Sequence, residues 1–435
     1  VKIAVVAEFY PSDRDPVLGV WAHRQALAAR DAGAEVRVLV VRRLVPPRAS
    51  LADGMSGAAG ELAKRVREPR RQTHDGLEIA YVPYVSPPRP RGYATWGRWA
   101  APALGIALRR LHRSFEFDLV HAHNAVPAGD AVRRVLDAPA GQRAPAGQRA
   151  ASPRAAHIPA HPIFRRANRR RARREDVPLV VSVHGGDVLY TAPRSAAGAE
   201  AVAQGLGAAR LVLANSQGIA ELACEHGAGE TRVVHLGADL PLLPRPARRE
   251  GPPTLVTVGH LVARKRHADV LRALAVLGGR HPTLRYSIVG DGPERIALEG
   301  LAARLGVAAR VDFHGQLMPQ RAVELARECS LFAMPSTEEA FGVAYVEAMA
   351  GGVPAIGCRG EPGPEEIAAA GEGLVLVPPG DIERLTQRID ELLSDPQRLR
   401  EAGHRARATV AAHFTWERCG EETLAAYEDA LRPAR

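Results

Sequence analysis

Glu339 and Glu347 lie eight positions apart in the stretch 335–366, which reads PSTEEAFGVAYVEAMAGGVPAIGCRGEPGPEE. A short apolar strand, LFAMPS, precedes them, and a Phe341-Gly342 turn with an apolar run separates them. A small-residue helix follows and is closed by Gly351-Gly352. The order is strand, loop with an acid, helix start with a second acid, helix, glycine stop, strand. In a parallel α/β sheet such a loop lies at the carboxyl ends of the strands, where these folds bind ligands. Unpaired backbone N–H groups at a helix start suit a phosphate. A carboxylate on either side suits sugar hydroxyls, whose protons its oxygens accept. The stretch therefore reads as a nucleotide-sugar site. The plain alternative is a buried strand–helix unit with two solvated acids.

The elements that would position this stretch are legible along the chain. Val1–Val6 reads as a first strand, and a loop with two Pro and a Gly runs over 8–19. A helix is expected over Val20–Ala32, stopped by Gly33, with a second strand at Glu35–Val41. This is a Rossmann-like opening without G-x-G-x-x-G, so a nicotinamide cofactor is not supported. The span Pro46–Asp75 has no strong period and reads as an excursion. Further strands are expected at Leu77–Val82, Asp118–His121, Pro178–Val183, Leu211–Ala214 and Arg232–His235, with a basic helix over Trp96–Ser114. From Thr254 the alternation is regular, with strands at Thr254–Val258, Leu284–Val289, Arg310–Phe313, Leu331–Met334, Ala355–Ile356 and Leu374–Val377. Strands alternating with helices predict parallel sheets covered on both faces.

The expected fold class is α/β, with two tandem Rossmann-like, doubly wound domains and a cleft between them. The first domain spans 1–240, a Pro- and Arg-rich linker 241–253, and the second domain 254–410. A terminal helix over 411–435 is expected to pack back on the first domain. Residues 138–149 hold APAGQR twice in tandem, and Arg165–Arg174 carries seven Arg in ten residues. Such low complexity predicts a disordered insert over 138–175.

Bulk composition narrows the class. With 435 residues, two domains of roughly 200 are expected. A hydrophobic content of 46% fills sizeable cores, and no apolar run reaches the roughly 18 residues that a membrane-crossing helix needs. The N-terminus reads as a strand, not a signal peptide. Cys224, Cys329, Cys358 and Cys419 are widely spaced with no CxxC, which predicts a reduced, cytoplasmic protein without structural zinc. The net charge is +10, but only three of the 58 basic residues are Lys. That Arg bias looks like a GC-rich coding sequence and is poor evidence for nucleic-acid binding. No nucleic-acid partner is expected.

VGHLVARK, IVGDGPER, VDFHGQL, LFAMPS and EEAFGVAYVEAMAGGVPAIG occur in series. In that order and spacing they resemble the family 4 glycosyltransferases of GT-B architecture. The resemblance runs from KIAVVAEFYP to FTWERC, the insert excepted. It implies a retaining transfer from a nucleoside-diphosphate sugar to a glycan or lipid-linked acceptor. It also implies the following roles. Lys265, with Arg264 beside it, would neutralise the diphosphate as it leaves. Glu347 would accept the ribose hydroxyls, and Glu339 would hold hydroxyls of the transferred sugar. The backbone around Phe341, Gly342 and Val343 would face the sugar or its phosphate. Gly290 and Gly292 would let the chain approach the nucleotide, and the loop with Gly315 and Leu317 would meet the base. His184 would project toward the reacting carbon. Gly19 would lie near the diphosphate and the acceptor. Asp187 has two readings, an acceptor contact or a helix cap. The family usually has Arg where His260 stands, so this chain departs from the pattern at the diphosphate contact.

Other features are read more plainly. His121 and His123 are weighed as structural. Asp13 and Asp15 form a D-x-D that is taken as chance, so no metal and no cofactor are expected. Because one acid is assigned to the sugar and the other to the ribose, Glu339 and Glu347 are not a glycosidase-like pair. A same-face mechanism with diphosphate-assisted proton removal follows. Arg165–Arg174, with Arg109, Arg110 and Arg113, fits either peripheral contact with an anionic membrane at the inner face or a solvated insert. The opening resembles members that build bacterial wall or capsular polysaccharides, including teichuronic-acid-type enzymes. Two other functions remain open. One is a nucleotide-sugar epimerase or sugar phosphorylase on the same plan. The other is a non-enzymatic binding protein.

Overall fold

The structure, a computed structural model, describes residues 1–13, 15–44, 57, 60, 62–63, 69–137, 177–242 and 251–433. The expected insert with its Arg165–Arg174 run, and linker residues 243–250, lie outside the described residues.

The first sheet contains β1 (Lys2–Ala7), β2 (Glu35–Arg43), β3 (Arg71–His74), β4 (Leu77–Tyr84), β5 (Leu119–His123), β6 (Leu179–Val183), β7 (Leu211–Ala214) and β8 (Thr231–Val233). Its order is β3-β4-β2-β1-β5-β6-β7-β8, parallel except for β3. The second sheet contains β9 (Thr254–Val258), β10 (Arg285–Val289), β11 (Val311–Gly315), β12 (Leu331–Ala333), β13 (Ala355–Cys358) and β14 (Leu374–Val377). It is parallel throughout, in the order β11-β10-β9-β12-β13-β14. The first strand of each sheet lies inside it, with later strands added on both sides. Chain reversal at that point opens a crevice at the carboxyl ends, where loops diverge.

The central strands are buried on both faces, and their sequences are correspondingly continuous. Ile3 to Ala7 are fully buried, as are Leu331 to Ala333. β5 departs from the apolar rule because LVHAH places His121 and His123 in the core. His121 is satisfied there by Tyr427 OH at 2.7 Å and Ser182 Oγ at 2.8 Å. Burial pushes its ring down to about 3, so it stays neutral.

One segment is corrected. Pro46–Asp75 was expected to be a plain excursion, but residues 71–74 form β3 and pair antiparallel with β4. The two-residue turn is Asp75-Gly76, with φ of 47° and 79°. Both central residues sit in the left-handed region, which is the hairpin geometry that Asp-Gly favours.

The chain returns to the first domain at its end. Helix Trp416–Leu431 packs on helix Val20–Asp31, and a Cβ on Gly420 would lie 2.2 Å from the Ala28 carbonyl oxygen. The domains also touch near the cleft. Ser216 Oγ donates to the Ala340 carbonyl at 2.7 Å, Tyr190 OH to the Glu338 carbonyl at 3.2 Å, and Gln316 Nε2 to Asp15 Oδ1 at 3.3 Å. Loops of both sheets therefore meet across the crevice.

Candidate active site

The turn after β12 carries the chemistry. Glu338 is held at φ 55° and Gly342 at φ 88°, so the chain reverses sharply on either side of Glu339. Gly342 then starts helix Val343–Ala350. A side chain at Gly342 would meet the Tyr345 ring at 2.3 Å, so this close turn needs glycine. The first N–H groups of the helix are left without intrahelical acceptors.

Lys265 ends a short turn, Ala263–Lys265, that follows β9. Its Nζ pairs with Glu339 Oε2 at 2.5 Å. The same oxygen accepts from Ser336 Oγ at 3.0 Å, and the Glu339 N–H donates to Glu361 Oε2 at 2.8 Å. Glu339 is 8% exposed. Burial works against its ionisation, but Lys265, Arg264 and the Ser336 hydroxyl together hold its carboxyl below the usual range. Arg264 lies over the Tyr190 ring at 5.4 Å and reaches the Glu338 carbonyl at 3.4 Å. A cation of the second domain is thereby seated on an aromatic ring of the first. His260 is exposed beside this turn.

Glu347 lies farther along the helix and joins a different group. Arg327 Nε donates to the Glu347 backbone carbonyl at 3.2 Å, and Arg327 also bonds the Asp239 carbonyl. Arg24 of the first domain bonds Asp239 Oδ1. Burial pushes the Glu347 carboxyl up to about 7; Arg327 and Arg24 oppose the rise and Asp239 adds to it.

The glycine positions divide. Gly290 closes β10 at φ 132°, and a Cβ there would lie 2.1 Å from the Gly259 carbonyl oxygen. One on Gly292 would lie 2.5 Å from the Leu261 carbonyl oxygen. Both glycines are therefore required by the 259–261 turn packed on them, a need separate from the ligand approach expected of them. Gly315 ends β11 at φ 68°, and its carbonyl accepts from the Gly290 N–H at 2.8 Å. Gly259, Gly290 and Gly315 thus stand side by side at the carboxyl ends of β9, β10 and β11. Leu317 is partly buried against the core. Val343 opens the helix, partly buried. Phe341 stacks its ring on His235 of the first domain at 5.8 Å and meets Phe414 edge-on at 5.8 Å. Only its backbone stays at the turn.

From the first domain, His184 follows β6 and stacks on His123, with His123 Nδ1 and His184 Nε2 3.0 Å apart. Among the described residues, His184 Nδ1 and His123 Nε2 are buried without a hydrogen-bond partner. Burial pushes the His184 ring down to about 3 and lowers that of His123. The pair is thus neutral and keeps two unused ring nitrogens. Next to it, a Cβ on Gly185 would lie 2.5 Å from the Ala340 Cβ, so this turn abuts the Glu339 turn. Asp187 is corrected on both of its readings. It is 1% exposed and accepts from the Ala125 and Val126 N–H groups at 2.9 and 3.2 Å. It therefore anchors the turn after β5, neither capping its own helix nor facing an acceptor. Gly19 has φ 73°, and a Cβ there would lie 2.2 Å from the Phe9 carbonyl.

The structure thus brings Lys265, Arg264, Glu339, Gly342 and the His184–Gly185 turn together, with Glu347 in a separate charged group on the same helix.

Residues 243–409 match the sequence family described as Glycosyl transferases group 1. The match covers the second domain and the Lys265–Glu339 pair. The chain is 33% identical over 283 residues to the D-inositol 3-phosphate glycosyltransferase of Nocardia farcinica, covering 59% of this chain and 62% of that one. It is 33% identical over 176 residues to a GDP-mannose-dependent phosphatidylinositol monomannoside mannosyltransferase of Corynebacterium glutamicum, covering 39% and 45%. It therefore spans less than two thirds of the length of either relative. The sucrose-phosphate synthase of Thermosynechococcus elongatus superposes with a TM-score of 0.70 at 20% identity, over 98% of both chains. The fold is GT-B, with two Rossmann-like domains facing each other.

Proposed function

We propose that the protein transfers a glycosyl group from a nucleoside-diphosphate sugar to a hydroxyl of a glycan or lipid-linked acceptor, with retention. The observation that carries this reading is the Lys265–Glu339 pair set beside the N-terminus of helix Val343–Ala350. It offers a cation and helix N–H groups to a diphosphate, and a carboxylate to sugar hydroxyls. Lys265 and Arg264 would stabilise the charge that develops on the leaving diphosphate, and the diphosphate itself would take the acceptor's proton. Closure of the domains would exclude water. Glu347 would accept the donor ribose hydroxyls. No step is assigned to a metal. The relatives named above are glycosyltransferases by name, one of them GDP-mannose-dependent, which supports a sugar-nucleotide donor.

A lipid-linked acceptor in cell-envelope or exopolysaccharide synthesis is favoured by helix Trp96–Phe115. Trp99 and Ile106 are 49% and 62% exposed on it, and Arg110 and Arg113 are exposed on the same face. An apolar face edged by Arg suits an anionic bilayer surface. No described helix is long and apolar enough to cross a membrane. Co-sedimentation with phosphatidylglycerol vesicles, and not with phosphatidylcholine vesicles, is the expected result.

The deciding experiment is a thermal-shift screen against nucleoside diphosphates and sugar nucleotides, since a ligand of the folded state raises its stability. A shift with one base series, lost in Lys265→Ala, supports the donor site. No shift with any of them overturns it.

A further inference from the structure

A cluster of metal-ligating side chains lies in the first domain, where helix Val20–Asp31 meets the β3–β4 hairpin. His23 comes from the helix, His74 ends β3, and Asp75 opens the turn. His23 Nε2 lies 2.9 Å from Asp75 Oδ2, and His74 Nε2 lies 3.7 Å from the same oxygen. The two imidazole rings are 4.7 Å apart between centroids. One ligand atom from each residue falls within 4.8 Å of the others. Among the described residues no other three His, Cys, Asp or Glu side chains converge in this way.

Geometry and chemistry both fit a metal ion. Zinc bonds imidazole nitrogen and carboxylate oxygen at about 2.0–2.2 Å, so the ligand atoms of a tetrahedral site stand about 3.3 Å apart. The separations of 2.9 and 3.7 Å bracket that spacing. Two imidazoles with one carboxylate suit zinc, whereas calcium and magnesium take oxygen ligands. Tyr10 orients His23 from behind, with its hydroxyl 2.9 Å from Nδ1. A phenol accepts as well as donates, so Nδ1 can keep the proton and leave Nε2 the lone pair that a metal needs. Arg30 bonds the Asp75 backbone carbonyl and leaves the carboxylate to the two imidazoles. The His23 side chain is only 4% exposed, but those of His74 and Asp75 are 44% and 58% exposed. An ion can therefore enter from solvent, and water completes its four ligands.

We propose that His23, His74 and Asp75 form a zinc site that clips helix Val20–Asp31 to the hairpin at the sheet edge. β3 is a polar edge strand paired with β4 alone, so it has little apolar burial to hold it. His23 and Asp75 are 52 residues apart in the chain, so the bound ion closes a long loop and stabilises the fold. The site shares no residue with the Lys265–Glu339 pair. It stands whether or not the transfer reading does, and no step of transfer runs through it.

The test uses the full chain, untagged and stripped with EDTA. Zinc chloride is titrated by calorimetry, and thermal unfolding is followed with and without it. The wild type binds one zinc with a Kd of about 10 μM or tighter and gains Tm, whereas magnesium and calcium chloride do not raise it. His74→Gln and Asp75→Asn each weaken zinc binding by about tenfold or more and lose the gain in Tm. Asn tolerates the left-handed turn position and can still accept a hydrogen bond from His23, so metal-free Asp75→Asn keeps a Tm near that of the metal-free wild type. The proposal is overturned if the wild type binds no zinc, or if either variant binds it as tightly as the wild type does. It is also overturned if calcium raises Tm more than zinc, because the site would then be an oxygen-ligand site elsewhere.

Discussion

Glu347→Gln separates what the carboxylate costs the fold from what it does for the donor. Burial pushes this carboxyl from an ordinary 4.5 to about 7. Each pKa unit between folded and unfolded states is worth about 1.4 kcal/mol, so the gap sets a ceiling of about 3 kcal/mol. The residue is partly exposed, and solvent screening brings the expected effect to about 1.5 kcal/mol. The sign follows from proton uptake. Between pH 4.5 and 7 the folded state holds this proton while the unfolded state releases it, so stability falls as pH rises through that window. Above pH 7 the whole penalty is present. Glutamine has no charge to bury. Arg327 keeps its bonds in the variant, because it donates to backbone carbonyls of Glu347 and Asp239.

The variant should therefore match the wild type in Tm near pH 4 and exceed it by roughly 3–6 °C at pH 8. Donor affinity should move the other way. A hydrogen bond to a charged group contributes about 1.5–3 kcal/mol, so losing the charge weakens donor binding by roughly 10- to 100-fold. Differential scanning calorimetry from pH 4 to 8.5 at constant ionic strength gives the first number, and titration calorimetry with the donor gives the second. A Tm difference independent of pH, or a variant less stable at pH 8, would refute the reasoning. It would mean that Glu347 is paired as an anion in the folded state.

Lys265→Ala should lower transfer by about 100-fold or more, as loss of a charge-stabilising group does. It should also lower Tm, because Glu339 stays buried without its cation; Lys265→Ala/Glu339→Gln should restore Tm but not transfer, and unrestored Tm would count against the pair. Chelation with EDTA should leave the transfer rate within about twofold, and loss that a divalent cation restores would contradict the metal-free mechanism.

The fold class was legible because apolar strands and glycine-stopped helices alternate, and because β9, β12, β13 and β14 are short and largely apolar. β3 was missed for a physical reason. RQTH is polar and sits at a sheet edge, so its only signal was the Asp75-Gly76 turn beside it. At the site, residue types carried the acids and Lys265, but types do not show where a side chain points. Asp187 meets amides 61 and 62 residues earlier in the chain, a distance no local pattern spans. Gly290 illustrates a different limit. A glycine needed by a ligand and a glycine needed by its own chain look the same in sequence, and the Gly259 carbonyl 2.1 Å from where a Gly290 Cβ would lie is a packing need that no spacing predicts. His121 is structural as the sequence reading weighed it, but its partner Tyr427, brought against it from the terminal helix, lies 306 residues away and no local pattern names it.

The pairing of Lys265 with Glu339 also bears on how a donor would bind. Without a ligand the cation already has a counterion, so a diphosphate must compete with Glu339 for it. The competition is uneven, because Glu339 has other partners. Ser336 Oγ still donates to its carboxylate when Lys265 leaves, and its position is fixed by the bond from its own N–H to Glu361. A sugar that brings hydroxyls to Glu339 replaces what Lys265 gave up, whereas a bare nucleoside diphosphate does not. The site should therefore favour a sugar nucleotide over the corresponding diphosphate, and Glu339→Gln should reverse that order. With the competing charge gone, the diphosphate should bind about tenfold tighter, while the sugar nucleotide gains nothing and transfer falls. Parallel calorimetric titrations of both ligands into both proteins measure the difference. If Glu339→Gln weakens both ligands equally, the carboxylate only supports the turn, and the exchange of partners at Lys265 does not occur.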